Sequence, residues 1–220
     1  MASKDRIERE KAQLKEKRKK EILGASEKLF LKKGFPGTTI SDIAEACELT
    51  NGAIYLYFKN KNEIILIIMT KISNSFADLL LHEDRRDAPP IERIERLLNV
   101  YKKTYMEFNH YHILDAQFNI LFDKSYPDSS YVTEYFEANK RVFDIFVSVF
   151  EEGQKDQSLK MPSTGGKANA ELTAHMFLNI INSYVEKISL RKKLMEEEQG
   201  ISMDEELNSL IDYLIESLQL

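Results

Sequence analysis

Residues 38–61 read TTISDIAEACELTNGAIYLYFKNK, and they spell two short amphipathic helices joined by a tight turn. Ile40, Ile43, Ala44 and Cys47 recur at i, i+3, i+4 and i+7, so one buried stripe runs along the first helix. Thr39 opens that helix. Asp42, three residues later, supplies the acidic partner of a capping box, so the start of the helix is well specified. The turn is Cys47 to Thr50, with Leu49 as its apolar plug and Thr50 as cap of the second helix, expected over residues 51–58. On that helix Ile54 and Phe58 share the inward face, while Gly52 and Leu56 point outward, flanked by Ala53 and Tyr55. Gly costs about 1 kcal/mol of helix propensity against Ala, so Gly52 implies a close approach by something outside the chain. A small, nearly bald outward face suits a helix that sinks into a DNA major groove.

The side chains around that face divide by chemistry. Thr39, Thr50, Tyr55, Tyr57 and Lys61 offer hydroxyls and an ammonium to phosphates, which position a duplex without reading it. Asn51, Ala53 and Leu56 are left for base edges: Asn suits adenine, Ala and Leu the thymine methyl.

With these residues in place, the chain resembles the tetracycline-repressor (TetR/AcrR) family of transcriptional regulators. The family pattern is matched by Gly34, Thr38, Thr39, Ile43, Ala44, Gly52, Tyr55, Tyr57, Phe58 and Lys61, and the resemblance covers residues 18–65. Two departures stand out. Cys47-Glu48 occupies the turn where many members carry Ala-Gly, and Tyr57 replaces a frequent His. The resemblance implies an all-α chain: a three-helix helix-turn-helix DNA-binding domain (18–65), preceded by a charged extension (1–17) and followed by a larger helical ligand-binding and dimerisation domain (66–220). It further implies a homodimeric repressor, released from a pseudo-palindromic double-stranded operator by a small-molecule effector. An activator or an architectural DNA-binding protein is the alternative, and no residue distinguishes these.

Charge is divided along the same line. Residues 1–61 hold 14 basic and 9 acidic side chains, net +5, and residues 62–220 hold 17 and 27, net −10. A basic head on an acidic body suits a protein that meets phosphates at one end, since neutralisation needs cations only where the duplex lies. Uneven surface charge is also common in soluble helical proteins, so the asymmetry supports the assignment without making it. One cysteine excludes an intramolecular disulfide framework. Cys47 lies on the buried stripe and reads as a small core residue, with a redox switch as the other option. The charged N-terminus has no apolar leader and the longest aliphatic run is Ile64 to Met69, so no membrane partner and a cytoplasmic location are expected.

Along the chain the periodicity is helical throughout, with no strand alternation and no Gly-rich phosphate loop. Residues 1–20, with 9 basic and 4 acidic side chains, read as a frayed arm or a solvated extension of the first helix; the cluster Lys17 to Lys20 is either solvated or laid along phosphates. A first helix marked by Ile22, Ala25, Leu29 and Phe30 ends at Gly34. A connector follows over 60–81, then helices at about 91–108, 111–122, 130–152, 168–195 and 203–218.

In the last two helices Leu207, Leu210, Ile211 and Leu214 form one stripe, and the preceding helix is apolar on more than one side through Ile181, Tyr184, Val185 and Ile188. A helix apolar nearly all round is buried on two sides, and these eight residues are expected at a dimer interface, an ordinary core being the alternative. Aromatics crowd residues 101–150, where the family binds effectors. Tyr105, Phe108, Phe118, Phe122, Phe143, Phe146 and Met176 are the expected contacts for a hydrophobic or aromatic ligand, again against plain core packing. His110 and His112 form a His-x-His pair without further soft ligands, so no metal and no cofactor is expected. No H-E-x-x-H, duplicated E-x-x-H or nucleophile elbow is present, and an enzyme is not expected.

Overall fold

Caps and a left-handed glycine set the limits of the N-terminal helices. The computed structural model describes residues 2–122, 124–164 and 167–219. Helix α1 (Ala2–Lys33) takes in the basic N-terminal stretch without a break, so that stretch is helix extension rather than frayed arm. It stops at Gly34, whose φ of +73° is a conformation that side chains with a Cβ resist. Helix α2 (Ile40–Ala46) carries the expected capping box: Thr39 Oγ1 accepts from the Asp42 amide at 3.1 Å, and Asp42 Oδ2 accepts from the Thr39 amide at 2.7 Å. Helix α3 (Asn51–Tyr55), capped by Thr50, is shorter than expected. The Tyr57 and Phe58 amides both reach back to the Ile54 carbonyl, so residues 56–58 form a tightened last turn that delivers Phe58 to the core.

Helix α4 (Lys61–Glu83), capped by Asn60, is the expected connector. Helix α5 (Pro90–Leu121) joins the two helices expected on either side of residues 109–110 and bends at Phe108, whose φ and ψ of −133° and 32° are non-helical. Helices α6 (Tyr131–Lys155), α7 (Ala170–Gln199) and α8 (Met203–Glu216) complete the bundle. A two-residue ribbon, β1 (Ser163–Thr164) antiparallel to β2 (Lys167–Ala168), interrupts the α6–α7 connection where the sequence showed no strand period. Two pairs are too short to leave a periodic signal.

The buried side chains form two clusters. One gathers Ile22, Phe30, Phe35, Ile43, Ile54 and Phe58 of the head around the first turns of α4, together with Leu114, Phe118 and Tyr135. The other fills the body between α5, α6, α7 and α8. Helix α4 spans both and packs most extensively on α6. By length and composition α4 is apolar enough to cross a membrane, with a mean hydropathy of 1.7 over its most apolar window. Ile64, Ile65, Leu66, Ile68, Met69 and Leu80 are spent on the chain's own core instead. At the far end of α4 the buried Arg93 guanidinium holds Asp84 through two bonds of 2.7 and 3.0 Å and reaches Glu152, fastening the 84–89 loop to α6.

Candidate DNA-reading head and ligand cavity

The head presents the outward face that its sequence predicts. Ile54 and Phe58 are at most 1% exposed, whereas Tyr55 and Leu56 are 54% and 77% exposed. Beyond Gly52 a Cβ would meet only the Thr50 hydroxyl, at 3.8 Å, so the backbone there is open to a close approach. Thr50 Oγ1 accepts from the Ala53 amide at 3.2 Å. Thr39 is exposed and Ala53 is half-buried. Asn51 donates from Nδ2 to Ser41 Oγ at 2.9 Å, which ties the start of α3 to α2 and leaves Oδ1 for a base donor. Tyr57 is half-buried against the head cluster.

Lys61 departs from its expected role. Its ammonium donates to the carbonyls of Phe35 and Thr38, at 2.7 and 2.9 Å, so it is a strut between α4 and the 34–38 turn rather than a free phosphate ligand. Asp42 is held well below the usual carboxylate range by the Lys33 ammonium at 2.7 Å and by the Thr39 hydroxyl and amide. The exposed Lys59, beside α3, is a cation that sequence reasoning passed over, although it stands in the same KNK run as Lys61.

A cavity of about 320 Å³ lies where α4, α5, α6 and α7 meet, with Glu27 of α1 at its edge. Its walls are Met69, Ile72, Phe76 and Leu79 from α4, Tyr101, Phe108 and Tyr111 from α5, and Val142 from α6. Polar groups converge among them: Thr104, His112, Asp115, Asn139 and Asn182. His112 Nε2 sits 3.1 Å from Thr104 Oγ1, and burial pushes the ring down to about 4, so it is neutral near pH 7. Burial and the neighbouring Glu186 push Asp115 up to about 7. At the edge Glu27 holds Lys71 at 2.7 Å and accepts from the Tyr111 hydroxyl at 3.4 Å. A larger groove of about 620 Å³, lined by Glu83, Glu92, Glu95, Arg96 and Lys103, is charged and open.

This lining shares one residue with the expected effector contacts. Of the seven residues, Phe108 reaches the cavity. Phe118 and Phe122 meet edge to face at 4.8 Å within the head-side cluster, beside Tyr135. Phe146 is fully buried in the body core next to Tyr101, and Tyr105 is buried near Lys192. Phe143 lies against His175 at 4.4 Å, and Met176 is 42% exposed on the outside of α7. Aromatic spacing identified buried faces, but a face buried against core and one lining a void have the same period. The missed residues had a different mark: Asp115 and Asn182 are polar residues set into apolar runs, ILDAQF and IINSYV.

The residues expected at a dimer interface lie in the chain's own core. Ile181, Val185, Ile188, Leu207, Ile211 and Leu214 are at most 3% exposed within the single chain, and Tyr184 and Leu210 pack on the same cluster. Helix α7 is apolar nearly all round because its own α5, α6 and α8 surround it. Its outer edge carries a separate stripe, Leu172, Met176 and Ile180, each about 40% exposed, and Tyr213 projects from α8 at 67%.

The α5 segment after the Phe108 bend connects the two sites. It places His112 and Asp115 on the cavity wall, and Gln117 Oε1 accepts from the Phe35 amide in the head turn at 2.9 Å.

The arrangement compared with known proteins is a helix-turn-helix head joined to a helical body with a cavity. Residues 22–67 match the family model described as bacterial regulatory proteins, tetR family. Among curated relatives the chain is 29% identical over 127 residues to the uncharacterized HTH-type transcriptional regulator YerO of Bacillus subtilis (strain 168), an alignment covering 54% of this chain and 40% of that protein. The chain spans about two-fifths of the length of the curated relatives it matches first. Among solved structures it superposes on the transcriptional regulator FadR from Bacillus subtilis in complex with stearoyl-CoA with a TM-score of 0.64, at 18% identity over 90% of this chain and 97% of that one. The structure of AibR with isovaleryl coenzyme A and operator DNA gives 0.63, at 18% identity over 90% and 98%. The likeness to the tetR family of bacterial regulatory proteins lies in the head, over residues 22–67. Its relatives are transcriptional regulators and not enzymes.

Proposed function

We propose that the chain is a homodimeric transcriptional repressor, acting in the cytoplasm, that leaves a pseudo-palindromic operator when a small molecule enters the cavity. The observation that carries this reading is the α5 segment 109–121, which forms part of the cavity wall and also holds the head turn through Gln117. A ligand that presses on His112 or Asp115 moves the segment that holds Phe35, and with it the angle of α1 and α3. The ligand has to favour the DNA-incompetent arrangement, because equal affinity for both states shifts nothing.

In this reading Tyr55, Thr39, Thr50 and Lys59 meet phosphates, the Gly52 backbone comes close to the duplex, and Asn51, Ala53 and Leu56 face base edges. The dimer forms through the outer stripe of α7, Leu172, Met176 and Ile180, with Tyr213 of α8. A two-fold pair presents two heads to half-sites about one helical turn apart. The structural neighbours FadR and AibR were solved with coenzyme A thioesters. The cation nearest this cavity, Lys71, is already held by Glu27.

The test is selection from a random duplex pool, then fluorescence anisotropy on the selected sequence at two salt concentrations. The expected outcome is an inverted repeat bound by two protomers, with binding that weakens steeply with salt and is lost in Asn51→Ala/Tyr55→Ala. Recovery of single, non-repeated sites would remove the dimeric operator from the reading. Sedimentation of Ile180→Asp checks the interface separately, with a shift to monomer expected.

A further inference from the structure

The polar end of the cavity has an unusual electrostatic balance. Asp115 is hydrogen-bonded to Glu186 on α7, and Glu186 Oε1 accepts from Asn119 Nδ2 at 2.8 Å. Among the described residues no Lys or Arg acts on either carboxyl; what acts on Asp115 is burial and the second acid. The remaining polar groups on the wall are neutral: Thr104, Asn139, Asn182 and the His112 ring. The one lining cation, Lys71, is 63% exposed and paired with Glu27, so that pair adds no net charge. An anion entering here meets Asp115, which is backed by a second carboxyl, and no free countercharge. Aromatic rings line the same cavity.

We propose that the effector is an organic cation of aromatic character, whose ammonium replaces the proton that Asp115 shares with Glu186 while its ring lies among Phe76, Tyr101, Phe108 and Tyr111. The inference rests on the reading of this cavity as the effector site. The exchange balances: the ligand brings one positive charge, Asp115 gives up one proton to solvent, and the ammonium donates to the carboxylate. Aromatic faces within about 6 Å of a cation add attraction that a neutral isostere lacks. A volume of about 320 Å³ is at the small end of the range for ligand pockets, roughly 300–1,000 Å³, which suits a compact molecule with one or two rings.

Because entry of the cation displaces a proton, affinity rises with pH. With Asp115 at about 7, the deprotonated share grows about tenfold between pH 6 and pH 8. The titratable groups around it are Glu186 of α7, Tyr101, Tyr111, His110 and His112 of α5, Tyr126 of the following loop, Tyr135 of α6, Glu27 of α1 and Lys71 of α4. The tyrosines are pushed up and His112 down, so none of these five changes charge between pH 6 and 8.

The test uses three naphthalene probes of different charge with the full chain: 1-naphthylmethylammonium, 1-naphthylmethanol and 1-naphthaleneacetate, with octanoyl-CoA as a fourth. Titration calorimetry is run at pH 6 and 8 in buffers of different ionisation enthalpy. The expected result is cation binding at least tenfold tighter than the neutral probe, no anion binding, and proton release near pH 6. Asp115→Asn abolishes both the preference and the pH dependence while His110 remains, and its melting temperature shows that it folds. Equal binding of cation and neutral probe, or preference for naphthaleneacetate or octanoyl-CoA, overturns the cationic effector and leaves the cavity as a ligand site. No binding by any of the four overturns the cavity reading and the inference with it.

Discussion

In the head, the caps that open the helices span three residues each: Thr39 with Asp42, Thr50 with Ala53, Asn60 with Glu63. In the cavity, Lys71 meets Glu27 across 44 residues and Tyr111 meets the same carboxylate across 84. The two regions therefore answer to different physics. The head is specified by caps, a turn and a short inward stripe, and its charges stay near water. The cavity exists only after five helices have packed, and burial then decides which of its groups ionise. Asp42 and Asp115 show this directly: one carboxyl is held down by an exposed ammonium and a cap, the other is pushed up by an apolar wall and a second acid.

The sharpest way to break this comparison is to exchange the two roles expected for aromatic residues. Phe146 is fully buried in the body core and Phe108 is 43% exposed on the cavity wall. Phe146→Ala is expected to cost about 3–5 kcal/mol in urea unfolding, with ligand binding weakened only as far as the fold is. Phe108→Ala is expected to cost less than about 1 kcal/mol of stability and to weaken ligand binding selectively. The reverse ranking would place the ligand in the core region and cancel the cavity assignment.

Next in size is a pH effect whose sign differs between the regions. Asp115 keeps its proton up to about 7 in the folded chain, against an ordinary value of 3.8. Between those values the native state holds more protons than the unfolded chain, so stability falls as pH rises, by up to about 1.4 kcal/mol per unit, and levels off above about 7. Asp42 works the other way: its capping contribution is complete above the ordinary carboxylate range and is lost only in strong acid. Unfolding free energies at pH 5 and 7.5 are expected to decline in the wild type and to decline less in Asp115→Asn. A rise with pH that survives the substitution would remove Asp115 as the controlling group.

Lys61 separates strut from ligand. Lys61→Met leaves the Phe35 and Thr38 carbonyls without this donor and is expected to cost about 1–3 kcal/mol. The salt dependence of DNA binding stays unchanged, because no phosphate contact is lost. A phosphate ligand would show the opposite pair of results: unchanged stability and a salt slope smaller by about one.

These cases show what a single sequence carries. The capping box, the Gly34 stop, the Ile54/Phe58 face and the break near residue 108 were legible because each is a local rule with a local signature. The Lys61 strut was not, since both its acceptors are backbone carbonyls and carbonyls have no identity in a sequence. Nor was the division of α7 between core and outer edge. Ile181 and Ile180 are equally apolar, and only the position of α5, α6 and α8 buries the first and exposes the second. The cavity was half legible. Its neighbourhood in α5 was expected, but the residues that define it are polar ones whose significance comes from the apolar run around them.

The smallest effect tests the head's most local feature. Glu48 sits in the α2–α3 turn at φ +55°, in the left-handed region, where the resemblance leads one to expect glycine. A residue with a Cβ pays about 1–2 kcal/mol there, and a glycine gives back about 0.5–1 kcal/mol through its freer unfolded chain. Glu48→Gly is therefore expected to stabilise the protein by about 0.5–1 kcal/mol. It also removes a negative charge from the DNA-facing end of the molecule, so operator binding tightens, and more so at low salt. Glu48→Ala separates the two contributions, since it removes the charge and keeps the strain. Its DNA affinity is expected to match that of Glu48→Gly while its stability stays near that of the wild type. A glycine variant about 0.5–1 kcal/mol less stable than the alanine variant would mean that the turn carries no strain, since only the entropy of the unfolded chain would then separate the two.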